Sequence, residues 1–125
     1  MQKPKRVAVV GASIDRKKYG NRAVRAFRAQ GDDVVPVNPR HEMVEGLPAY
    51  RSVLDVPGAI DMATVYVPPE VGQTLLEEFQ QKGIPEIWFN PGSESDAILA
   101  EASRRGLNVV LACSIMGIGR SPEDF

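Results

Sequence analysis

The feature that most constrains this chain is an alternation of short apolar runs and amphipathic stretches, separated by glycine and proline. The first run, Arg6–Val10, is continuous and rich in β-branched residues, which is typical of a strand that is buried on both faces. The five predicted strands are Arg6–Val10, Asp33–Val37, Asp61–Val67, Glu86–Asn90 and Leu107–Cys113. The spacing of apolar residues between them predicts helices over about 21–30, over 70–82, and from Ser93 or Ser95 to Gly106.

Strands that alternate with helices across short turns predict right-handed crossovers, and therefore a parallel sheet with helices on both faces. We expect an α/β, Rossmann-like three-layer fold with a five-stranded parallel sheet in the order 3-2-1-4-5. A flavodoxin-like order, 2-1-3-4-5, is the alternative. Residues 40–58 have a looser pattern and are expected to be mostly loop, with Ser52 capping one short helical turn.

Length and composition predict a single domain over residues 1–125, because 43% of the residues are hydrophobic and 25% are charged. The net charge of -1 provides no global positive field to gather nucleic acid or an anionic membrane. The apolar runs are far shorter than the roughly 20 residues that span a bilayer, and the apolar stretch at the basic N-terminus is too short for a secretory signal. We therefore expect a cytoplasmic protein with neither nucleic acid nor membrane as partner.

Ligands of open parallel sheets bind beyond the carboxyl ends of the strands, so the turns there are the first candidates for a site. The turn after the first strand begins with Gly11, Ala12 and Ser13, and a second glycine, Gly20, stands at the start of the predicted helix. Glycines in these places let a phosphate approach backbone amides at a helix N-terminus. The strict dinucleotide motif G-x-G-x-x-G is absent, because Ser13 and Arg16 take two of its glycine positions.

The same turn carries three consecutive cations, Arg16, Lys17 and Lys18, beside the predicted helix N-terminus. The helix dipole favours anions at that end, so three cations there are unfavourable without a negatively charged partner. A phosphate-rich ligand would supply that partner. A solvated basic loop is the alternative interpretation.

The turn after the second strand is Asn38, Pro39 and Arg40. An NAD site in this fold places Asp or Glu at that point to bind the ribose hydroxyls, and this chain has Asn38 instead. Arg40 suits a ribose that carries a phosphate, which favours NADP or coenzyme A. An ordinary exposed arginine is the alternative.

Four segments together resemble a known family. They are VAVVGAS (Val7–Ser13), VVPVNP (Val34–Pro39), D-x-x-x-V-Y-V-P-P (Asp61–Pro69) and G-x-x-x-x-W (Gly83–Trp88). In order and spacing they resemble the CoA-binding domain of the succinyl-CoA synthetase α subunit, and more closely the small stand-alone bacterial CoA-binding proteins. The likeness covers nearly the whole chain. The turn Asn90-Pro91-Gly92 departs from the Gln-Leu-Gly that stand-alone members often have after the fourth strand.

The resemblance implies that coenzyme A, or a short acyl-CoA, binds through its 3′-phospho-ADP part. It implies that Gly11, Ala12 and Ser13 approach the phosphates and that Arg16, Lys17 and Lys18 supply charge. It further implies that Asn38, Pro39 and Arg40 border the ribose and its phosphate, while Val67, Pro68 and Pro69 line the adenine side.

The residues give little support for catalysis by the chain itself. His41, the only histidine, lies in a polar loop, where a solvated side chain is favoured over a catalytic one. Cys113, the only cysteine, is expected to pack, with a mixed disulfide to the CoA thiol as the alternative. One histidine and one cysteine provide no typical metal-ligand set.

We therefore expect a non-catalytic CoA-binding module, and whether the chain is an enzyme stays open. The alternatives are an NADP-binding reductase, and a regulatory or ligase subunit that acts with a partner. A homodimer and a ligase-like partner subunit are both compatible with the sequence.

Overall fold

The computed structural model describes residues 4–125; the first three residues of the basic N-terminus considered above lie outside this range. The strands are β1 (Arg6–Val10), β2 (Asp33–Val37), β3 (Met43–Val44), β4 (Leu47–Pro48), β5 (Met62–Val65), β6 (Ile87–Phe89) and β7 (Val109–Leu111). The helices are α1 (Tyr19–Ala29), α2 (Pro69–Thr74), α3 (Leu76–Lys82), α4 (Asp96–Arg104) and α5 (Ser114–Gly117), with 3₁₀ turns at Val53–Asp55 and Pro122–Asp124.

The main sheet has five parallel strands in the order β2-β1-β5-β6-β7, and β3 and β4 form a separate hairpin. The Rossmann-like α/β fold with a five-stranded parallel sheet is confirmed. Outside β2, Tyr50 forms a single parallel bridge with Val37. The Tyr50 N–H donates to the Pro36 carbonyl at 3.0 Å, and the Tyr50 carbonyl accepts from the Asn38 N–H at 2.9 Å. With this bridge counted as a one-residue third strand, the order follows the 3-2-1-4-5 pattern, and β7 adds a sixth position.

The assignment of Asp61–Val67 to the third position of that pattern is wrong. Its strand, β5, pairs with β1 instead of lying outside β2, with Val7 opposite Met62. Counted over the five full strands alone, the order is therefore 2-1-3-4-5. The outer edge of β2 is bridged instead by Tyr50, from a segment expected to be loop. An apolar run indicates that a strand is buried but not beside which strand it pairs.

The structure confirms one helical prediction and divides another predicted helix in two. Ser52 caps the short turn as expected, because its hydroxyl accepts from the Leu54 N–H at 3.1 Å. The helix predicted over 70–82 is two helices, since the Leu75 N–H bonds back only three residues, to the Gly72 carbonyl at 3.1 Å. The hairpin β3–β4, helix α5 and the last 3₁₀ turn were not predicted.

The core lies on both faces of the sheet, as a three-layer fold requires. Successive residues of β1 alternate between the faces: Val7 and Val9 pack with Phe27 of α1, and Ala8 and Val10 pack with the cluster that contains Phe79 of α3. Among residues 4–125, none of the helices has the length and apolar content that a bilayer crossing requires.

Candidate functional site

The turn after β1 is closed against the start of α1 by two glycines. Gly11 has a φ of 89°, and its N–H donates to the Val37 carbonyl at 3.0 Å. A Cβ atom on Gly20 would lie 2.2 Å from the Gly11 carbonyl oxygen, well inside van der Waals contact. Both positions therefore need glycine, one for its backbone angle and one for close packing.

The next residues of the loop are shaped by their own side chains. The Ser13 hydroxyl accepts from the Asp15 N–H at 3.0 Å, and the Asp15 carboxylate accepts from the Lys17 N–H at 3.0 Å. These local bonds fold the loop into two consecutive turns. Lys18, the residue before α1, has no side-chain acceptor for the first amides of the helix, and the first turn of α1 carries no acid. The positive end of the helix is left without a negative side chain of its own.

Asn38 connects the first two turns of the site. Its side-chain amide donates to the Ala12 carbonyl at 2.7 Å, and its side-chain oxygen accepts from the Arg40 N–H at 2.7 Å. Ala12 is fully buried below this contact. Asn38 therefore fixes the β2 turn against the β1 turn.

Two adjoining clefts run across the carboxyl ends of the strands. The β2-side cleft, about 510 Å³, is bordered by Ser13, Asn38, Pro39, Arg40 and His41, and by Arg51 and Val71. The β6-side cleft, about 800 Å³, is bordered by Lys17, Tyr19, Gly20 and Pro69, and by Asn90–Ser93, Cys113, Met116 and Pro122. Both clefts share Gly11, Lys18, Tyr66, Val67 and Pro68. We call the two adjoining clefts together the trough; the residues that border both include the glycine turn and a lysine.

The predicted adenine-side residues form the wall opposite the glycine turn. A Cβ atom on Gly11 would lie 3.0 Å from Cγ1 of Val67, so the two turns are in close contact. Pro68 is the residue before α2, and Pro69 is its first residue. Proline suits the first helical position because its missing N–H would have no partner within the helix there.

Arg16 was predicted to supply charge to the phosphates, but it lines neither cleft. Its Nε lies 3.7 Å from a carboxylate oxygen of Glu45, and its carbonyl accepts from Arg25 at 2.7 Å. Ala12 likewise lines neither cleft, because it lies in the core beneath the turn. The other predicted site residues all border the trough.

Sequence reasoning missed a buried polar network beneath the β6-side cleft. The Asn90 amide donates to the Thr64 hydroxyl at 2.7 Å and to the Val65 carbonyl at 3.0 Å. The Asn90 side-chain oxygen accepts from the Ser114 N–H at 2.8 Å, and the hydroxyls of Thr64 and Ser114 lie 2.7 Å apart. This network joins β5, the turn after β6 and the start of α5. The available signal was the polar residue Asn90, directly after an apolar strand and before Pro91.

Tyr66 lies on top of this network and lines both clefts. Its hydroxyl is 3.1 Å from the Ser114 hydroxyl. Burial raises the pKa of Tyr66 above its ordinary value, although hydrogen bonds with Ser114 and Thr64 act in the opposite direction. Tyr66 is therefore a neutral, oriented phenol at physiological pH.

The two residues considered for chemistry lie at opposite ends of the trough. His41 borders the β2-side cleft, while Cys113 borders the β6-side cleft and is half-buried. Within residues 4–125, no three side chains of His, Cys, Asp or Glu are grouped closely enough to hold a metal ion. Arg51, also missed from the sequence, adds a second arginine to the β2-side cleft.

Comparison with known proteins identifies the family. Residues 5–118 match the family model described as a CoA binding domain. The chain belongs to this CoA-binding domain family. The resemblance deduced from the four segments is thereby confirmed.

Members and relatives of the family fall into two kinds. The chain is 42% identical over 85 residues to the α subunit of ADP-forming acetate–CoA ligase II from Pyrococcus furiosus, which covers 67% of this chain and 19% of that subunit. It is 27% identical over 111 residues to the uncharacterized protein YneT of Bacillus subtilis, covering 89% of this chain and 82% of YneT. A conserved hypothetical protein from Pyrococcus furiosus superposes with a TM-score of 0.83 at 34% identity, covering 92% of this chain and 99% of that one.

The difference in coverage matters for function. Five of the matching relatives are ADP-forming acetate–CoA ligase chains, and the match covers only 12–30% of their length. The CoA-binding domain is thus a small part of those ligases, whereas the stand-alone relatives have nearly the same extent as this chain.

Proposed function

We propose that this CoA-binding domain, taken as residues 1–125, binds coenzyme A or a short acyl-CoA along the trough and performs no chemistry on it. The diphosphate would lie over the turn Gly11–Ser13, at the start of α1. There the helix has no acidic residue in its first turn, and Lys17 and Lys18 border the cleft. An anion there would be stabilised by the positive end of the α1 dipole and by two ammonium groups.

The nucleoside end is assigned to the β2-side cleft. Arg40 and Arg51 border this cleft and are the candidates for the 3′-phosphate, because a guanidinium pairs with phosphate through two hydrogen bonds. The one carboxylate that borders it, that of Glu78, accepts a hydrogen bond from Ser52. The base would pack against Val67 and Pro68.

The pantetheine arm is assigned to the β6-side cleft. Its walls include Pro68, Pro69, Pro91 and Met116, which suit a long, weakly polar chain. The thiol would then lie towards Cys113 and the mouth of the cleft, where Met116 is 66% exposed. An acyl group on the thiol would point towards solvent or a partner.

The observation that carries this proposal is that the two clefts adjoin at the carboxyl ends of the strands, where Gly11 and Lys18 border both. A dinucleotide such as NADP shares the phosphates but lacks the long flexible arm. Isothermal titration with CoA, dephospho-CoA and NADP tests the assignment. CoA is expected to bind tightest, and dephospho-CoA about tenfold or more weaker, since one charge-assisted contact is worth roughly 1.5–3 kcal/mol.

Variants place the contacts within the trough. Arg40→Ala is expected to weaken CoA but leave dephospho-CoA unchanged, whereas Lys17→Ala with Lys18→Ala is expected to weaken both ligands if these cations serve the diphosphate. Arg104→Ala, on the far helix α4, removes an exposed cation outside both clefts and is the control. Binding of NADP alone would overturn the proposal and favour a reductase.

A second candidate is a subunit that works with a separate ligase partner. It is favoured by the relatives that are ADP-forming acetate–CoA ligases, in which this domain is joined to much more chain. Affinity purification of the tagged protein from its own cells tests it. Recovery of a nucleotide-binding ligase subunit in a fixed ratio would support this role, and recovery of the chain alone would favour the stand-alone module.

A further inference from the structure

The loop that would bind the phosphates, Ser13–Lys18, is contacted by Glu45, a glutamate with a positive φ. Glu45 has a φ of 50°, and it is the one non-glycine residue with a positive φ within residues 4–125. It occupies the first position of the tight turn between β3 and β4, followed by Gly46 with a φ of 76°. Asn, Asp and Gly are the residues that accept this position readily. A glutamate there is strained, and the strain must be offset by contacts of its side chain.

Glu45 contacts Arg16 of the loop and Asn21 and Arg28 of α1. One Glu45 carboxylate oxygen accepts from the Asn21 side-chain amide at 3.1 Å and lies 3.7 Å from Nε of Arg16. The Glu45 carbonyl accepts from Arg28 at 3.0 Å. The Glu45 side chain is 22% exposed, so these interactions are partly shielded from water.

Asn21 transmits the contact to the loop. It is fully buried, and its amide also donates to the Ser13 carbonyl at 2.8 Å. Its side-chain oxygen accepts from Nε of Arg25 at 2.7 Å, and Arg25 in turn donates to the Arg16 carbonyl at 2.7 Å. The carbonyl groups at both ends of the segment Ser13–Arg16 are therefore tied to one network that includes Glu45.

The network also balances charge. Burial lowers the pKa of Arg25, the neighbouring Arg16 lowers it further, and Glu45 acts in the opposite direction. Without the carboxylate, Arg16 and Arg25 would repel each other next to the loop. The repulsion would be relieved most easily by movement of the exposed Arg16 and the loop that carries it.

We propose that Glu45 is a positioning residue for CoA: through Asn21 and Arg16 it holds Ser13–Arg16 in the conformation that turns Lys17, Lys18 and the α1 amides towards the trough. Arg16 is then a counter-ion of Glu45 and not a phosphate ligand. This inference rests on the proposed function, because it names how the same site is held in its binding-competent shape.

Three variants of the hairpin test the proposal. Glu45→Gly removes the side chain and relieves the positive φ; Glu45→Gln keeps the length and an oxygen acceptor for Asn21 but removes the charge. Glu42→Gln is the control, because it makes the same charge change in the same segment, and Glu42 is exposed and contributes its backbone carbonyl to the Ala49 N–H. CoA affinity is measured by isothermal titration, stability by thermal unfolding, and loop mobility by hydrogen exchange of residues 13–18 without ligand.

The expected result separates positioning from stability. Glu45→Gly should raise the Kd for CoA about tenfold while its Tm changes by no more than a few degrees, since relief of backbone strain offsets the lost contacts. Its loop amides should exchange faster. Glu45→Gln keeps the acceptor for Asn21 but loses the ion pair with Arg16, so its affinity should lie between those of the wild type and Glu45→Gly. Glu42→Gln should match the wild type in every measurement.

The proposal is overturned if the wild type binds CoA and Glu45→Gly binds it equally well, or if Glu42→Gln loses as much as Glu45→Gly. If the wild type binds no CoA, the proposed function fails, and hydrogen exchange alone decides the positioning role. Unchanged exchange of residues 13–18 in Glu45→Gly then refutes it, and faster exchange confined to those residues supports it.

Discussion

Replacing Gly20 by alanine tests whether the close contact between α1 and the glycine turn is a requirement of the fold. The added Cβ would lie 2.2 Å from the Gly11 carbonyl oxygen and 3.2 Å from the Gly11 carbonyl carbon. Both obstacles are backbone atoms, so no side-chain rotation can relieve the clash. Either the turn or the first residues of α1 must move.

The magnitude follows from two opposing effects. Overpacking of this kind costs about 1–3 kcal/mol, with the upper part expected against backbone. The better helix propensity of alanine returns up to about 1 kcal/mol. The net loss in the free energy of unfolding is therefore about 1–2 kcal/mol, which lowers Tm by roughly 4–8 °C for a domain of this size.

Thermal unfolding of Gly20→Ala is best compared with Gly72→Ala. Gly72 is also helical, but its added Cβ would lie 3.0 Å from Cε1 of Phe89, a ring that can shift. Gly72→Ala is expected to melt within a few degrees of the wild type and to keep its CoA affinity, while Gly20→Ala loses both stability and affinity. A Gly20→Ala protein that melts at or above the wild-type temperature would refute the reasoning.

Three further predictions concern side chains. Asn90→Ala should lower the free energy of unfolding by about 2–4 kcal/mol in urea titrations, because three hydrogen bonds are lost and buried partners stay unpaired; unchanged stability would show that water replaces the amide. Tyr66 has a raised pKa, so its contribution to stability is fully present below the ordinary tyrosine pKa of about 10 and is lost as the pH rises through the folded value. Urea titrations across alkaline pH should therefore show a steeper loss for the wild type than for Tyr66→Phe, and parallel curves would contradict this. Ser95→Ala removes the cap of α4 and should cost about 1 kcal/mol, measured by thermal unfolding, whereas the exposed Ser103→Ala should cost little; equal losses would reject the cap.

The sequence predicted the five parallel strands, because each is a short, mainly apolar run with glycine or proline in a turn on at least one side. It predicted the cap of α4 at Ser95, one of the two serines considered, since a hydroxyl before an apolar helical pattern has a direct local role. It did not predict the neighbour of β5. That neighbour is β1, and the choice between β1 and the outer edge of β2 is a property of the whole sheet that a single apolar run does not carry.

Some parts of the candidate site were likewise predictable from the local sequence, and others were not. The glycine turn, the Asn38 turn and the double proline were found because local backbone geometry restricts which residues can stand there. Arg16 was grouped with Lys17 and Lys18 by charge alone, and only the folded hairpin shows that Glu45 faces it. The network of Asn90 and Ser114 joins residues 24 positions apart, so the local pattern marks Asn90 as a polar residue after a buried strand but does not reveal its partner.

The measurement that tests the central claim most directly is a ¹H–¹⁵N NMR titration of the protein with coenzyme A. The account predicts shifts that saturate and are concentrated at the amides of the trough, above all Gly11, Lys18, Gly20, Arg40 and Val67. Dephospho-CoA should reproduce these shifts except around Arg40. The absence of saturable shifts, or shifts confined to residues outside the two clefts, would contradict the assignment of this trough as a coenzyme A site.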